Sequence, residues 1–341
     1  MPEALVDSFS RTVRDLRISV TDRCNFRCTY CMPAEGMTWL PRSDVLTFEE
    51  IHRLATIFVE RFGVDGLRLT GGEPTVRAHL PVLVAKLATL RLPADADSPL
   101  AGKAPDLSMT TNGSSLRRMA TELRDAGLQR VNISLDTLQR ERFLQMTRRD
   151  ELTNVLDGID AALDAGFSPV KINAVVQRDV NDDEIVDLSR FGRERGVEMR
   201  FIEFMPLDAS GKWLHDMVVT QDEIVDAIHK VFPLEPVGRR GAAPADRWRY
   251  LDGRGMVGVI PSVSHPFCGD CDRVRLTAEG DFRTCLFAVD EFDLRGLLRS
   301  GATDDELAAE IRRAVGLKWA GHQINQAVFV RPNRSMSQIG G

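Results

Sequence analysis

Between residues 16 and 204, six short apolar-rich runs alternate with five helical patterns, and this alternation leaves few folds open. Segments 16–20, 66–70, 107–110, 130–135, 170–176 and 198–204 read as strands. Helices are expected over 48–62, 80–90, 115–126, 152–165 and 183–195. The first opens on the capping-box sequence Thr47-Phe48-Glu49-Glu50, and the last is expected to be capped by Asn181 with Glu184 behind it. Strand, helix, strand in succession implies parallel pairing through right-handed crossovers, hence an open or closed α/β barrel or a doubly wound sheet. Parallel strands covered on both faces normally read as unbroken apolar runs, yet four of these do not. Arg17 and Ser19 alternate with Leu16, Ile18 and Val20; Arg68 and Thr70 with Leu67 and Leu69; Asn132 and Ser134 with Val131 and Ile133; Lys171 and Asn173 with Val170 and Ile172. Successive side chains face opposite ways, so the apolar set can pack on helices while the polar set lines a shared interior. Such an interior is expected to be a site, placed at the carboxyl ends of the strands.

All six cysteines fall in two groups. Cys24, Cys28 and Cys31 have the spacing C-x3-C-x2-C directly after the first strand, where three thiolates can hold one inorganic centre. Iron–sulfur clusters usually take four cysteines, so a cubane on three leaves one iron free to bind something else. Zinc is the other reading, although structural zinc wants a closed set of four ligands and no fourth Cys or His stands in this loop. Cys268, Cys271 and Cys285 form C-x2-C-x13-C, again three thiolates; the set reads as a second cubane with one open iron, or as a zinc site completed by His265. Clustering of this kind, with no cysteine left over, fits metal ligation in a reducing compartment.

Arg273 and Arg275 follow Cys271 on an extended segment, and their alternation points both guanidiniums the same way. With Arg17, Arg68 and Lys171 they would form a local positive pocket suited to a polyphosphate. No Walker-type loop is present. The chain as a whole carries 44 basic and 50 acidic side chains, net −6, which argues against wholesale binding to nucleic acid or an anionic membrane. Neither a signal-peptide core nor an apolar run of membrane-spanning length occurs, so the cytoplasm is the expected compartment. At 341 residues and 43% apolar the chain can bury one large domain and a smaller one. A helix capped by Thr220 and Glu223 closes the first. Residues 237–246, rich in Gly, Pro, Ala and Arg, mark the boundary, and strands over 248–251 and 256–259 follow. Residues 91–106 read as a surface insertion.

The loop Cys24-Asn25-Phe26-Arg27-Cys28-Thr29-Tyr30-Cys31 resembles the cluster loop of the radical S-adenosylmethionine (radical SAM) superfamily. Residues 15–24, Arg68-Leu69-Thr70-Gly71-Gly72-Glu73-Pro74, Thr110-Thr111-Asn112-Gly113, 200–205, the second cysteine set and the terminal Gly340-Gly341 narrow the resemblance to the GTP 3′,8-cyclase family of molybdenum-cofactor biosynthesis. Gly66 departs from it, standing where some relatives carry a lysine.

The resemblance implies an incomplete (β/α)6 barrel over residues 1–235 and a C-terminal iron–sulfur extension over 236–341. It implies two 4Fe–4S clusters, on Cys24, Cys28 and Cys31 and on Cys268, Cys271 and Cys285, with S-adenosylmethionine against Tyr30, Gly72, Ser134 and Met205. GTP would be held by Arg17, Arg68, Thr110, Lys171 and the run Arg273-Val274-Arg275. Arg17, Gly340 and Gly341 would act in catalysis, the last two on a tail reaching into the site. The implied reaction is a lyase-class cyclisation: an adenosyl radical takes hydrogen from C3′ of the ribose, which then attacks C8 of guanine, giving (8S)-3′,8-cyclo-7,8-dihydroguanosine 5′-triphosphate. Implied partners are an electron donor of flavodoxin or ferredoxin type and a cyclic pyranopterin monophosphate synthase that takes the product, with the enzyme a monomer or homodimer. The competing readings are a peptide-modifying radical SAM enzyme with an auxiliary cluster and a non-catalytic iron–sulfur or zinc protein.

Overall fold

The structure, a computed structural model, describes residues 3–207, 211–238, 241–326, 329–332 and 334–340. Six parallel strands, β1 (Asp15–Ser19), β2 (Gly66–Thr70), β3 (Asp106–Thr111), β4 (Arg130–Ser134), β5 (Val170–Val176) and β6 (Glu198–Glu203), pair in chain order. Their apolar residues, Leu16, Ile18, Leu67, Leu69, Val131, Ile133 and Ile172 among them, are fully buried in one core beneath the helices, so the polar partners face the other way.

The chain after residue 233 extends this sheet at both edges. On one side β9 (Met256–Ile260) joins β6 in parallel and carries β8 (Asp246–Tyr250) and β7 (Leu234–Pro236) as antiparallel neighbours. On the other, β10 (Arg273–Leu276) joins β1 in parallel, with β11 (Asp281–Arg283) and β12 (Phe292–Asp293) beyond it. The twelve described strands run from β12 to β7 without closing, so the barrel is incomplete, as expected.

Several helices differ from the sequence expectation. Thr47 and Glu50 do form a capping box for Phe48–Thr56, but the helix continues as a π turn, Ile57–Arg61. Residues 115–126 split into a 3-10 turn, Leu116–Arg118, and a short helix, Ala120–Asp125, because Met119 leaves helical geometry. Asn181 does not cap the helix Ile185–Arg195. Its Oδ1 accepts from the Gln177 amide and its Nδ2 donates to the carbonyls of Asp136 and Val175, while buried Glu184 accepts from Thr137 and the Leu138 amide. The side chain that looked like a helix cap therefore ties the ends of β4 and β5 together.

The helix Arg140–Thr147 has no counterpart in the sequence reading, since it buries only Phe143, Met146 and Thr147 and leaves Leu144 exposed. It backs the first cysteine loop: Phe143 meets Phe26 edge to face, and the Arg27 and Thr29 amides donate to the Thr147 and Met146 carbonyls. Residues 91–105 lie largely at the surface, pinned by buried Leu92, an Arg14–Asp97 ion pair and a Ser98–Asp65 hydrogen bond.

Candidate active site

One cavity of about 310 Å³ opens over the carboxyl ends of the strands, and both cysteine groups line it, all six thiols included. Arg17, Tyr30, Arg68, Gly72, Thr110, Ser134, Met205, Arg273 and Arg275 line it as well. Lys171, Val274 and Gly340 do not, and Gly341 lies outside the described residues. Lys171 is the second residue of β5, and its electrostatic neighbours are Arg200, Glu198, Arg130 and Arg68. The Val274 side chain points away into the helix-covered core, so only its backbone is on offer.

The first cysteine loop is held from below. The Gly72 amide donates to the Thr21 carbonyl and the Glu73 amide to the Arg23 carbonyl, and a Cβ on Gly72 would fall on the Arg23 carbonyl oxygen. The glycine is thus needed for contact between two backbones, and its amide is already spent. Glu73, fully buried, accepts from Thr75, from the Thr111 hydroxyl and from the Asn112 amide, which locks this turn onto the end of β3. Tyr30 donates to Asp136 Oδ2 at 2.6 Å while the Val175 amide donates to Asp136 Oδ1 at 2.8 Å. Burial pushes the Asp136 carboxyl up to about 6 against these two hydrogen bonds.

Burial also raises the thiols, Cys24 to about 12, where Glu73 adds to it, and Cys31 to about 11, with Cys28 raised too. Free thiols so placed keep their protons, and a bound metal must displace them. Within each group the cysteines act electrostatically on one another. Yet among the described residues no set of three or more His, Cys, Asp or Glu closes tightly enough for a single metal ion. Each set offers three mutually interacting thiols, the ligand count of a 4Fe–4S cluster with one open iron, whereas structural zinc wants four ligands. His265, the residue that would complete a zinc set, is exposed and hydrogen-bonds Ser264. The histidine that reaches Cys268 is His322, which hydrogen-bonds it through its backbone while its ring packs on Phe287; the sequence reading passed it over.

A row of arginines is the dominant electrostatic feature. Arg17 of β1 is in register with Arg275 of β10 on one side and Arg68 of β2 on the other. Strands lie about 4.8 Å apart, and neighbouring like charges at ~5 Å repel by about 3 kcal/mol at an effective dielectric of ~20. The nearby carboxylate is Asp15, 3.8 Å from Arg17 Nε and 3.6 Å from Arg68 Nη2. Burial works against its charge, but Arg68, Arg17, Arg273 and Arg275 hold it below its ordinary value. Burial lowers Arg17 and takes Arg275 to about 10, with neighbouring arginines adding to both shifts. Arg17 Nε, Arg68 Nε, Ser19 Oγ, Thr70 Oγ1 and Asn173 Oδ1 are all buried without a hydrogen-bond partner. Orphaned groups of this kind leave donors and an acceptor open to a bound ligand or water. Arg200 of β6 also lines the cavity; its alternation with Met199 and Phe201 was the signal that could have found it.

The C-terminal tail enters the same interior. Arg334 pairs with Glu279, Asp281 and Glu291, and the short helix Met336–Ile339 follows, with Ser337 hydrogen-bonded to Cys31. Gly340, at φ +79°, gives its carbonyl to Arg275 and lies so close to Ser19 and Thr70 that a Cβ would collide with both hydroxyls.

Residues 18–192 match the family model described as Radical SAM superfamily, and residues 197–324 the model Molybdenum Cofactor Synthesis C. GTP 3′,8-cyclase of Mycobacterium marinum is 48% identical over 99% of this chain and 92% of its own length. The protein of the same name from Streptomyces coelicolor is 48% identical over 99% and 96%. The chain belongs to the GTP 3′,8-cyclase family of radical SAM enzymes. Among solved structures, Streptococcus suis SuiB bound to S-adenosylmethionine superposes with a TM-score of 0.58 at 14% identity, covering 95% of this chain and 77% of that one, a likeness of fold alone. As a radical SAM enzyme the chain works with S-adenosylmethionine and 4Fe–4S clusters.

Proposed function

We infer that this chain is a GTP 3′,8-cyclase, a lyase that converts GTP to (8S)-3′,8-cyclo-7,8-dihydroguanosine 5′-triphosphate at the first step of molybdenum-cofactor biosynthesis. The observation that carries the reading is a single cavity lined by two cysteine triads and by three arginines in register across adjacent strands. A peptide substrate would leave those arginines without counter-charge, and a purely electron-carrying or zinc protein would leave the interior's orphaned polar atoms without a purpose.

Cys24, Cys28 and Cys31 would hold the cluster that works with S-adenosylmethionine, and Cys268, Cys271 and Cys285 the second, within the part of the chain after residue 235. When bound, these groups supply the electron and the primary radical. The chain's own contribution is positioning. Arg17, Arg68 and Arg275 take the triphosphate, Arg273 sits beside Cys271, and Thr110, from the strand next to β2, faces the same space. Tyr30, steadied by Asp136, together with Gly72, Ser134 and Met205, forms the wall for the cosubstrate. Gly340 brings its carbonyl to Arg275 at a position where a Cβ would collide with the Ser19 and Thr70 hydroxyls, and with Gly341 it would act in catalysis. Burial of the reacting sugar and base keeps C3′ and C8 in contact and water away.

We place the enzyme in the cytoplasm: its six cysteines are all unpaired, and no described helix is long and apolar enough to cross a membrane. An external low-potential electron donor and a synthase that consumes the product complete the proposed setting.

The test is anaerobic reconstitution with iron and sulfide, then incubation with S-adenosylmethionine, reductant and GTP. A species of unchanged GTP mass but new retention, formed with 5′-deoxyadenosine, establishes the cyclase. Deoxyadenosine with GTP untouched refutes it.

Lys171 gives a pH signature. Burial and then Arg200 lower its ammonium to about 7 in the free protein. Lys171 lies outside the cavity lining but is an electrostatic neighbour of Arg68, so a triphosphate that neutralises Arg68 favours the protonated Lys171, and GTP binding takes up a proton once the pH exceeds this value. Affinity is therefore highest below pH 7 and falls up to about tenfold per pH unit above it, until the raised value in the complex is reached. Titration calorimetry at several pH values shows this slope, and in Lys171→Met it flattens.

A further inference from the structure

Arg11 precedes β1 and Lys318 follows the last long helix, Asp304–Gly316, so the chain's two ends supply them. They are 8% and 3% exposed, and both reach the second cysteine loop. Arg11 Nη1 donates to the carbonyls of Cys268 at 2.6 Å and Ala320 at 2.7 Å, and Nη2 to that of Trp319 at 2.5 Å. Asp7 aims it, accepting from Arg11 Nε at 2.6 Å while its other oxygen accepts the Phe9 and Arg11 amides. Lys318 Nζ donates to the carbonyls of Arg273 at 2.8 Å and Cys271 at 3.1 Å, and lies 3.9 Å from the Cys271 sulfur. Amides or water could satisfy carbonyls at far lower desolvation cost than a buried cation. Asp7 compensates Arg11, but no described carboxylate forms an ion pair with Lys318. The negative groups that act on Lys318 are Cys271 and Cys285, once deprotonated, and Asp7, which Arg11 already pairs.

We propose that Arg11 and Lys318 are positioning residues of the second centre. Arg11, steadied by Asp7, fixes the backbone of Cys268, Lys318 fixes that of Cys271, and the Lys318 charge makes the centre easier to reduce. The proposal rests on the reading of Cys268, Cys271 and Cys285 as ligands of a 4Fe–4S cluster. Cluster potentials follow local charge and hydrogen bonding to the sulfurs, and removal of outer partners typically weakens metal binding by about 10–100-fold.

The test uses the full chain with Cys24, Cys28 and Cys31 all replaced by Ala, so that only the second centre loads, read by iron content, chelator competition, electron paramagnetic resonance and redox titration. Arg11→Met and Lys318→Met are expected to lose iron to chelator about 10–100-fold more readily than the parent. Lys318→Gln, which keeps hydrogen bonds to the carbonyls but not the charge, is expected to retain iron at a more negative potential, and Lys318→Arg to match the parent in both. Iron retention and potential unchanged across all four variants overturn this proposal while leaving the cluster reading in place. A parent chain that takes up no iron at the second centre overturns the cluster reading and this proposal together.

Discussion

Arg17→Ala abolishes cyclisation of GTP yet leaves a protein that, without nucleotide, melts no lower than the parent. Truncating an arginine as buried as this one would ordinarily destabilise. Here the side chain lies between Arg275 and Arg68 with Asp15 as the nearby counter-charge, and its Nε has no hydrogen-bond partner. Removing it relieves repulsion on both sides. The loss falls on the ligand: a charge-assisted contact to phosphate is worth about 2–5 kcal/mol when one partner is deleted, so GTP affinity drops by roughly 30- to several-thousand-fold. Thermal shift with and without GTP, beside product assays, checks both halves. 5′-Deoxyadenosine should still form, since the first cysteine set is untouched. A variant that melts well below the parent, or still binds GTP at parental strength, would mean that the row is structural and not a phosphate site.

The two cysteine sets should fail differently. Replacing Cys24, Cys28 and Cys31 by Ala halves the iron and stops formation of 5′-deoxyadenosine altogether, with product below detection. Replacing Cys268, Cys271 and Cys285 halves the iron as well but leaves deoxyadenosine formation, now uncoupled from GTP. The structure gives the reason for the division. Tyr30, Gly72 and Ser134 lie with the first set around the ends of β1 to β4, whereas Arg273 lies with the second, its Nη1 3.9 Å from the Cys271 sulfur. Iron quantification and chromatography of both reactions distinguish the outcomes. Equal loss of deoxyadenosine in the two triple variants would show that the sets do not divide the work.

Much of the architecture was legible in local pattern. The alternation of Arg17 and Ser19 with Leu16 and Ile18, and its repeats in β2, β4 and β5, announced parallel strands with one face on helices and one on a polar interior. The structure has that arrangement. Capping boxes at Thr47 and Thr220 marked true helix starts. The same signal at Thr303 and Glu306 was available and went unread, and with it the helix Asp304–Gly316. Asn181 misled because a side chain that can cap a helix can equally bond distant carbonyls, and only the neighbouring strand ends decide between the two.

Residue identity and short-range spacing thus determined the succession of strands and helices in the core, the two triads of thiols and a local stock of cations. Each of these depends on periodicity or on chemistry carried within a few residues. Tertiary structure alone decided that the two triads share one cavity, because β10 returns from residue 273 to pair with β1. It decided that Arg275, Arg17 and Arg68 stand side by side, and that Arg11 and Lys318 from opposite chain ends grip one cysteine loop. The physical reason is range: register between strands more than two hundred residues apart leaves no periodic trace in either segment, and the repulsion of adjacent arginines exists only once the sheet brings them together.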